Sequence, residues 1–324
     1  MLLILADQFD VHADLVEQHL EKKGVKLFRL NLDVASLQQV GATFDGKDWI
    51  MESPHGDIKS DRVSCVWSRR SFVETSLEES DSQDIDFKIW RGEWNKTLLG
   101  FYSSVNSATW LNPLRENSRT ENKYHQMRIA KSVGLRMPTT ITSNKKEVLK
   151  RFCEEHEEVV LKLMHQDFYR MNDGSIRAIY VNKVSAEMIE QFEGTTENPI
   201  VLQRYIPKLF EVRYTVVGDY HHVCKIESQA SEIANTDWRR YDIPNTPHYS
   251  IDPPDDIKVK VSELMKQFSI PFGALDFVVS PEGEWYFLEV NPSGQWLWIE
   301  DLTGMPISHT IALWLDDKTR KDIQ

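Results

Sequence analysis

The sequence predicts an α/β (α+β) fold in three consecutive units, and three observations carry that reading. The chain opens as strand, helix, strand; its middle alternates helices with short apolar strands; and near its end an apolar β-hairpin carries oxygen-bearing side chains. A length of 324 residues suits two or three domains.

Leu2 to Ala6 reads as a buried strand, Val11 to Lys23 as an amphipathic helix ended by Gly24, and Val25 to Asn31 as a second strand. No G-x-G-x-x-G follows the first strand, which argues against a dinucleotide site there. Thr43 to Glu52, with Asp45-Gly46 inside it, predicts a small hairpin, and Val63 to Ser68 another core strand. Glu74 to Asp86 is rich in acids and serines and poor in apolar residues, so it predicts an exposed loop. A long helix follows from about Phe87 to Ser104, and Trp110 to Pro113 closes the unit as a short strand and turn. The domain boundary is placed near Arg115 to Thr120, giving units 1–117, 118–206 and 207–324.

In the second unit, Asn122-Lys123 opens a helix that ends at Gly134. A lysine in the first helical turn opposes the positive end of the helix dipole unless an anion is present. Lys162 interrupts the apolar strand Val159 to Leu163. A phosphate contact and an edge strand whose lysine reaches water both account for it. Met164 to Tyr180 is turn-rich, with Asn172-Asp173-Gly174 at its tip, and reads as a hairpin that either covers a ligand or is simply exposed. Ile200 to Ile206 is an apolar strand broken by Pro207, whose end offers backbone groups to the edge of a ligand.

The third unit holds the stretch from Gly273 to Pro292. Strand alternation puts Glu289 and Asn291 on one face. With Pro281 to Glu284 as a four-residue loop, Ser280 pairs with Trp285 and Asp276 falls opposite Glu289. Two carboxylates and an amide oxygen then converge, the donor set that hard Mg²⁺ accepts alongside substrate phosphates. The competing reading, acids that merely face solvent, conflicts with the apolar Leu275, Phe277, Tyr286, Leu288 and Val290 around them.

Net charge is −12, from 38 basic and 50 acidic residues, against the footprint of a general nucleic-acid binder. Cys65, Cys153 and Cys224 are widely spaced and odd in number, which argues for reduced thiols. The N-terminal apolar run meets Asp7 at once, and no segment approaches the ~20 apolar residues of a membrane span, so a cytoplasmic protein without membrane partners is expected. A homodimer is the default expectation for a soluble enzyme.

The order of these motifs, Asn122-Lys123, Lys162, Gln203 to Ile206, Glu211 with Arg213, Asp237-Trp238-Arg239-Arg240, Asp276 and Glu289 with Asn291, resembles the ATP-grasp carboxylate ligases from Asn122 to Leu315. Asp237-Trp238-Arg239 and the run Gln295-Trp296-Leu297-Trp298 look most like the graspetide ligases, which cyclise microviridin-type peptides. The resemblance implies an ATP-grasp fold: a pre-ATP-grasp βαβ domain, a central lid-bearing domain and a C-terminal metal-hairpin domain. It also implies residue roles. Lys123 and Lys162 would hold phosphates, the backbone of Gln203, Arg204, Tyr205 and Ile206 would meet adenine, and Glu211 would bind ribose. Asp276, Glu289 and Asn291 would hold Mg²⁺, while Arg213, Arg239 and Lys162 would act on the transferring phosphoryl or acyl phosphate. For Arg240 a solvated position is expected, and Trp296 and Trp298 either line a peptide channel or pack in the core.

The implied reaction consumes ATP to phosphorylate a Glu or Asp side chain of a ribosomal precursor peptide, after which a Ser or Thr hydroxyl or a Lys amine closes a macrocyclic ester or amide. The precursor would carry a leader for docking. Two other readings stay open: a RimK-like ligase joining an amino acid to a peptide or small molecule, and a non-catalytic ATP-binding protein on the same fold.

Overall fold

Strand β1 (Leu2–Ala6) is apolar along its whole length and wholly buried, which fixes it as an inner strand. A computed structural model describes residues 1–105, 107–164, 168–170, 176–178, 182–191, 195–230 and 246–321. The first unit runs β1, α1 (Val11–Glu21), β2 (Leu27–Asn31), α2 (Val34–Leu37), β3 (Gly41–Phe44), β4 (Trp49–Ser53), β5 (Gly56–Lys59), β6 (Cys65–Ser68), α3 (Leu77–Ser80), α4 (Ile85–Ser104) and β7 (Thr109–Leu111). Strands β2-β1-β6-β7 form a parallel sheet, while β3, β4 and β5 form a separate antiparallel one. The expected hairpin thus gains a third strand, and the segment read as a loop before the long helix contains α3. Asp10 caps α1, accepting from the backbone N–H groups of His12 and Ala13.

The segment expected to hold the domain boundary lies inside α5 (Leu114–Glu121), followed at once by α6 (Lys123–Ser132). The middle of the chain is β8 (Thr140–Lys145), α7 (Lys146–Glu155), β9 (Val159–Lys162), β10 (Phe168–Arg170), β11 (Ile176–Ala178), β12 (Asn182–Val184), α8 (Ala186–Glu190) and β13 (Thr195–Arg204). Its antiparallel sheet has the order β12-β9-β13-β8 and buries Leu149, Phe152, Val159, Ile189 and Leu202 against α7 and α8. Strands β10 and β11 pair as the hairpin expected between Met164 and Tyr180, whose tip lies outside the described residues.

The last unit is β14 (Phe210–Val217), β15 (Tyr220–Ile226), β16 (His248–Ser250), α9 (Asp255–Phe268), β17 (Phe272–Val279), β18 (Trp285–Asn291), α10 (Leu297–Thr303) and α11 (Ile307–Lys321). Its antiparallel sheet has the order β16-β15-β14-β17-β18. One face, with Val212, Tyr214, Leu275, Phe277 and Phe287, packs on residues of α6 and α9. On the other face, Val217, Cys224 and Phe272 join Trp296, Ile311 and Leu315 in a core shared with β1 and α1 of the first unit. The rest of that second face borders a cleft under the central sheet.

Asn112 ties the first unit to the last. It sits just past β7 at φ 63°, a conformation that asparagine tolerates better than most residues. Its buried amide donates to the carbonyls of Phe272 and Pro292 at 2.8 and 2.7 Å and accepts from the Phe272 N–H at 2.9 Å.

Candidate active site

Cross-strand pairing aligns the acidic and basic residues in one row. Ser250 pairs with Cys224, Cys224 with Arg213, Arg213 with Asp276, and Asp276 with Glu289. Directly paired residues share a face, so the row runs from the core at Cys224 to the cleft, which Asp276 and Glu289 line. The sequence-based register reaches the Asp276–Glu289 pair by a route that the structure corrects. The loop spans 280–284, Val279 rather than Ser280 pairs with Trp285, and the ladder then slips one residue so that Leu288 is unpaired. That bulge switches faces: Trp285, Phe287 and Val290 go to the core, and both Leu288 and Glu289 line the cleft.

Each carboxylate of the row has a cation. Arg213 Nε lies 3.2 Å from Asp276 Oδ1, both side chains nearly buried. Lys123 Nζ lies 2.8 Å from Glu289 Oε2. Lys123 stands in the first turn of α6 beside the Asn122 cap, and Glu289 supplies the anion that this position calls for. Glu211, buried on β14, accepts from Lys208 Nζ at 2.9 Å.

The cleft between the central and C-terminal sheets holds about 100 Å³ of cavity volume and is open to solvent. The C-terminal sheet contributes Glu211, Asp276, Val278, Leu288 and Glu289, α6 contributes Lys123 and Met127, and the central sheet contributes Val160, Lys162, Val201 and Gln203 through Ile206. Lys162 lies on an inner strand, between β12 and β13, and faces the cleft, so the edge-strand reading is set aside. Gln203 is buried, its amide donating to Thr140 Oγ1 at 2.8 Å. The backbone N–H groups of Arg204 and Tyr205 donate to Thr139 and Glu158 carbonyls at 2.8 and 2.9 Å, so neither amide is left for a ligand. Asn291 ends β18, exposed, with its Oδ1 accepting from the Ser293 N–H at 2.9 Å, and is not among the residues lining the cleft. Arg239, with Asp237, Trp238 and Arg240, lies outside the described residues.

Asp276 and Glu289 suit a hard divalent cation. They are two facing carboxylates already balanced by positive groups, and among the described residues no group of three or more His, Cys, Asp or Glu side chains gathers into a cage. A pair with an amide two residues on leaves positions for phosphate oxygens, as Mg²⁺ prefers.

Some functional residues were missed in the sequence. Lys208 follows the Pro207 break in the loop between β13 and β14, and only its spacing of three from Glu211 hints at the pair. A clamp on the chain after β18 was missed as well. Asn112 holds the Pro292 carbonyl, Asn117 Nδ2 donates to Ser293 Oγ at 3.2 Å, and Arg69 donates to the Ser293 carbonyl at 3.3 Å. Arg69 is itself buried in an ion pair with Asp10 at 3.1 Å and lies over the Trp296 ring. Trp296 is core, its indole N–H donating to Ser308 Oγ, whereas Trp298 is half-buried with Arg213 Cζ 5.9 Å from its ring centre.

A family model described as the MvdD pre-ATP grasp domain matches residues 1–118. Among solved structures, the chain is similar to a Chryseobacterium gregarium RiPP-associated ATP-grasp ligase in complex with ADP and a leader and core peptide. Identity is 32%, covering 98% of this chain and 96% of that one, with a TM-score of 0.87. It is also similar to two Microcystis aeruginosa macrocyclases. MdnC, bound with precursor peptide MdnA, gives 27% identity, 98% and 100% coverage and a TM-score of 0.84. MdnB gives 32% identity, 97% and 98% coverage and a TM-score of 0.77. No curated protein matches the chain. The central and C-terminal antiparallel sheets, with a cleft of paired carboxylates and cations between them, define the ATP-grasp class of ligases. Within that class, the chain belongs to the RiPP-associated ATP-grasp ligases.

Proposed function

We propose that this chain is an ADP-forming ligase that activates Glu or Asp side chains of a ribosomal precursor peptide as acyl phosphates and closes macrocyclic esters or amides. The observation that carries the reading is the pair Asp276–Glu289 at the floor of the cleft, with Arg213 on Asp276, Lys123 on Glu289 and Lys162 in the cleft wall. Support comes from relatives of matching length solved with ADP and with leader, core or precursor peptides.

In this reading Asp276, Glu289 and Asn291 hold Mg²⁺, which when bound neutralises phosphate charge and aligns the transferring group. Lys123 and Lys162 take phosphate oxygens, and Arg213, with Arg239, presents a planar fork to the acyl phosphate. Glu211, steadied by Lys208, accepts ribose hydroxyls. Of the strand-end backbone from Gln203 to Ile206, the Ile206 amide is left to meet adenine, since those of Arg204 and Tyr205 are already used. The units 1–117, 118–206 and 207–324 serve as base, lid and metal-bearing floor, and the β10–β11 hairpin closes to keep water from the acyl phosphate. No helix among the described residues is long and apolar enough to cross a membrane, and the reaction is assigned to the cytoplasm.

The test is mass spectrometry of a small peptide with an acidic, hydroxyl-bearing core, if one is encoded beside this chain, after incubation with the protein, ATP and Mg²⁺. Loss of one water per ring, abolished in Asp276→Ala, is expected. An unchanged peptide alongside ADP release driven by free amino acids would replace this reading with a RimK-like one.

A further inference from the structure

Ring closure requires that a hydroxyl or ammonium lose a proton, and no base for that step was legible in the sequence. The face of the C-terminal sheet that carries Glu211, Arg213 and Asp276, and that α10 covers at its far edge, narrows the choice. His248 starts the edge strand β16, paired with Ile226, which pairs with Glu211. It therefore shares the face of Glu211, Arg213 and Asp276. Its ring meets the Trp298 indole edge-on, centroids 5.5 Å apart at 81°, and Trp298 is the same ring that Arg213 approaches at 5.9 Å. One tryptophan thus carries both the phosphate-reading arginine and an imidazole.

Among the described residues, the other groups with base chemistry on this face are engaged. His222 is hydrogen-bonded to Thr310 Oγ1 at 3.0 Å, Glu211 is paired with Lys208, Asp276 with Arg213 and Glu289 with Lys123, and burial pushes the Cys224 thiol up to about 12. His248 is half-buried.

We propose that His248 is the general base of ring closure, resting on the ligase function argued above. The acceptor oxygen or nitrogen attacks the acyl phosphate carbon, its proton passes to the His248 imidazole, and phosphate departs with the electron pair of the broken C–O bond. Burial holds the His248 pKa below its usual value against the opposing Thr246 backbone contact, so the neutral, proton-accepting form prevails near pH 7. Among the described residues, the charges on the elements packed against it are paired or face solvent: Lys225 of β15 pairs with Glu227 at 2.7 Å, Glu300 of α10 accepts from Ser308 Oγ at 2.6 Å, and Asp301 is exposed.

Wild-type protein and His248→Gln are compared with the precursor peptide of the preceding test, ATP and Mg²⁺, with and without hydroxylamine. Hydroxylamine needs no base and traps the acyl phosphate as a hydroxamate. Expected for His248→Gln are unchanged hydroxamate formation, about 100-fold slower ring closure, and loss of the decline in ring closure that wild type shows on acidification. Hydroxamate and rings falling together, or an unchanged pH profile, would overturn the assignment. Wild type yielding neither product would overturn the ligase reading and this inference with it, while folding of the variant is checked by its melting curve.

Discussion

Asp276 and Glu289 face each other across β17 and β18 because one residue between them and the hairpin loop, Leu288, takes no partner. Strict alternation from Trp285 and Phe287, both in the core, would have turned Glu289 inward. The bulge brings it to Lys123 and opposite Asp276 instead. Asp276→Asn is therefore expected to do two things. It removes a proposed metal ligand and leaves the Arg213 guanidinium, nearly buried, with a neutral partner. ATP consumption in the presence of peptide should fall at least ~100-fold, measured as ADP release, and the melting temperature should drop by a few degrees.

Lys208→Met tests the missed contact. Glu211 would keep its buried carboxylate without the ammonium 2.9 Å away. A charge-assisted hydrogen bond of about 1.5–3 kcal/mol corresponds to roughly 10- to 100-fold in affinity. The KM for ATP should rise by that order with a smaller change in kcat, and equal KM values would show that Glu211 acts without Lys208.

Acid should weaken the fold before the carboxylates titrate. His12 is buried edge-on against Trp296, and desolvation with the nearby Arg69 charge lowers its pKa to about 4. Between about 4 and the ordinary 6.5 the unfolded chain binds the proton and the folded chain does not. Stability from this group is thus complete above pH 6.5 and is lost as pH falls to 4, up to about 3 kcal/mol. Asp10 adds a second, lower window. Burial alone would raise its pKa, yet Arg69 and the helix-cap hydrogen bonds outweigh burial, so its contribution is lost only as pH falls below 3.8. Urea melts should show the upper slope in wild type and not in His12→Gln.

Gly294→Ala should disturb the metal strand from behind. A Cβ there would stand 2.4 Å from Ala274 Cβ, and both carbons are fixed to backbone. The Gly294 N–H also donates to the Asn291 carbonyl at 3.3 Å. A loss of about 1–3 kcal/mol is expected by melting, with weaker Mg²⁺ binding by calorimetry in the presence of ADP.

Much of this was legible because strands report their faces. Alternation and motif order brought Lys123, Lys162, Glu211, Arg213, Asp276 and Glu289 to one neighbourhood. The bulge was invisible: an unpaired residue leaves no compositional mark, and a loop counted one residue short offset the missing Leu288 so that the pair came out right by compensation. The strand β5 was missed because Gly56 to Lys59 is short and polar, and α5 because Leu114 to Glu121 has almost no apolar residue to set a period. The backbone amides of Arg204 and Tyr205 were offered to a ligand because sequence does not say which strand a chain end will meet. Arg69, Asn112 and Asn117 act through contacts more than 150 positions away, beyond any local pattern.

The buried amide of Asn112 bears on how the cleft must open. By gripping both Phe272 and Pro292, it welds the first unit to the strand pair that carries the carboxylates. The central sheet instead joins that body through two single crossings of the chain, 135–139 and 205–209. The chain is thus built as a jaw with one braced half, the half that carries Asp276 and Glu289, and one half joined to it by only two connecting segments.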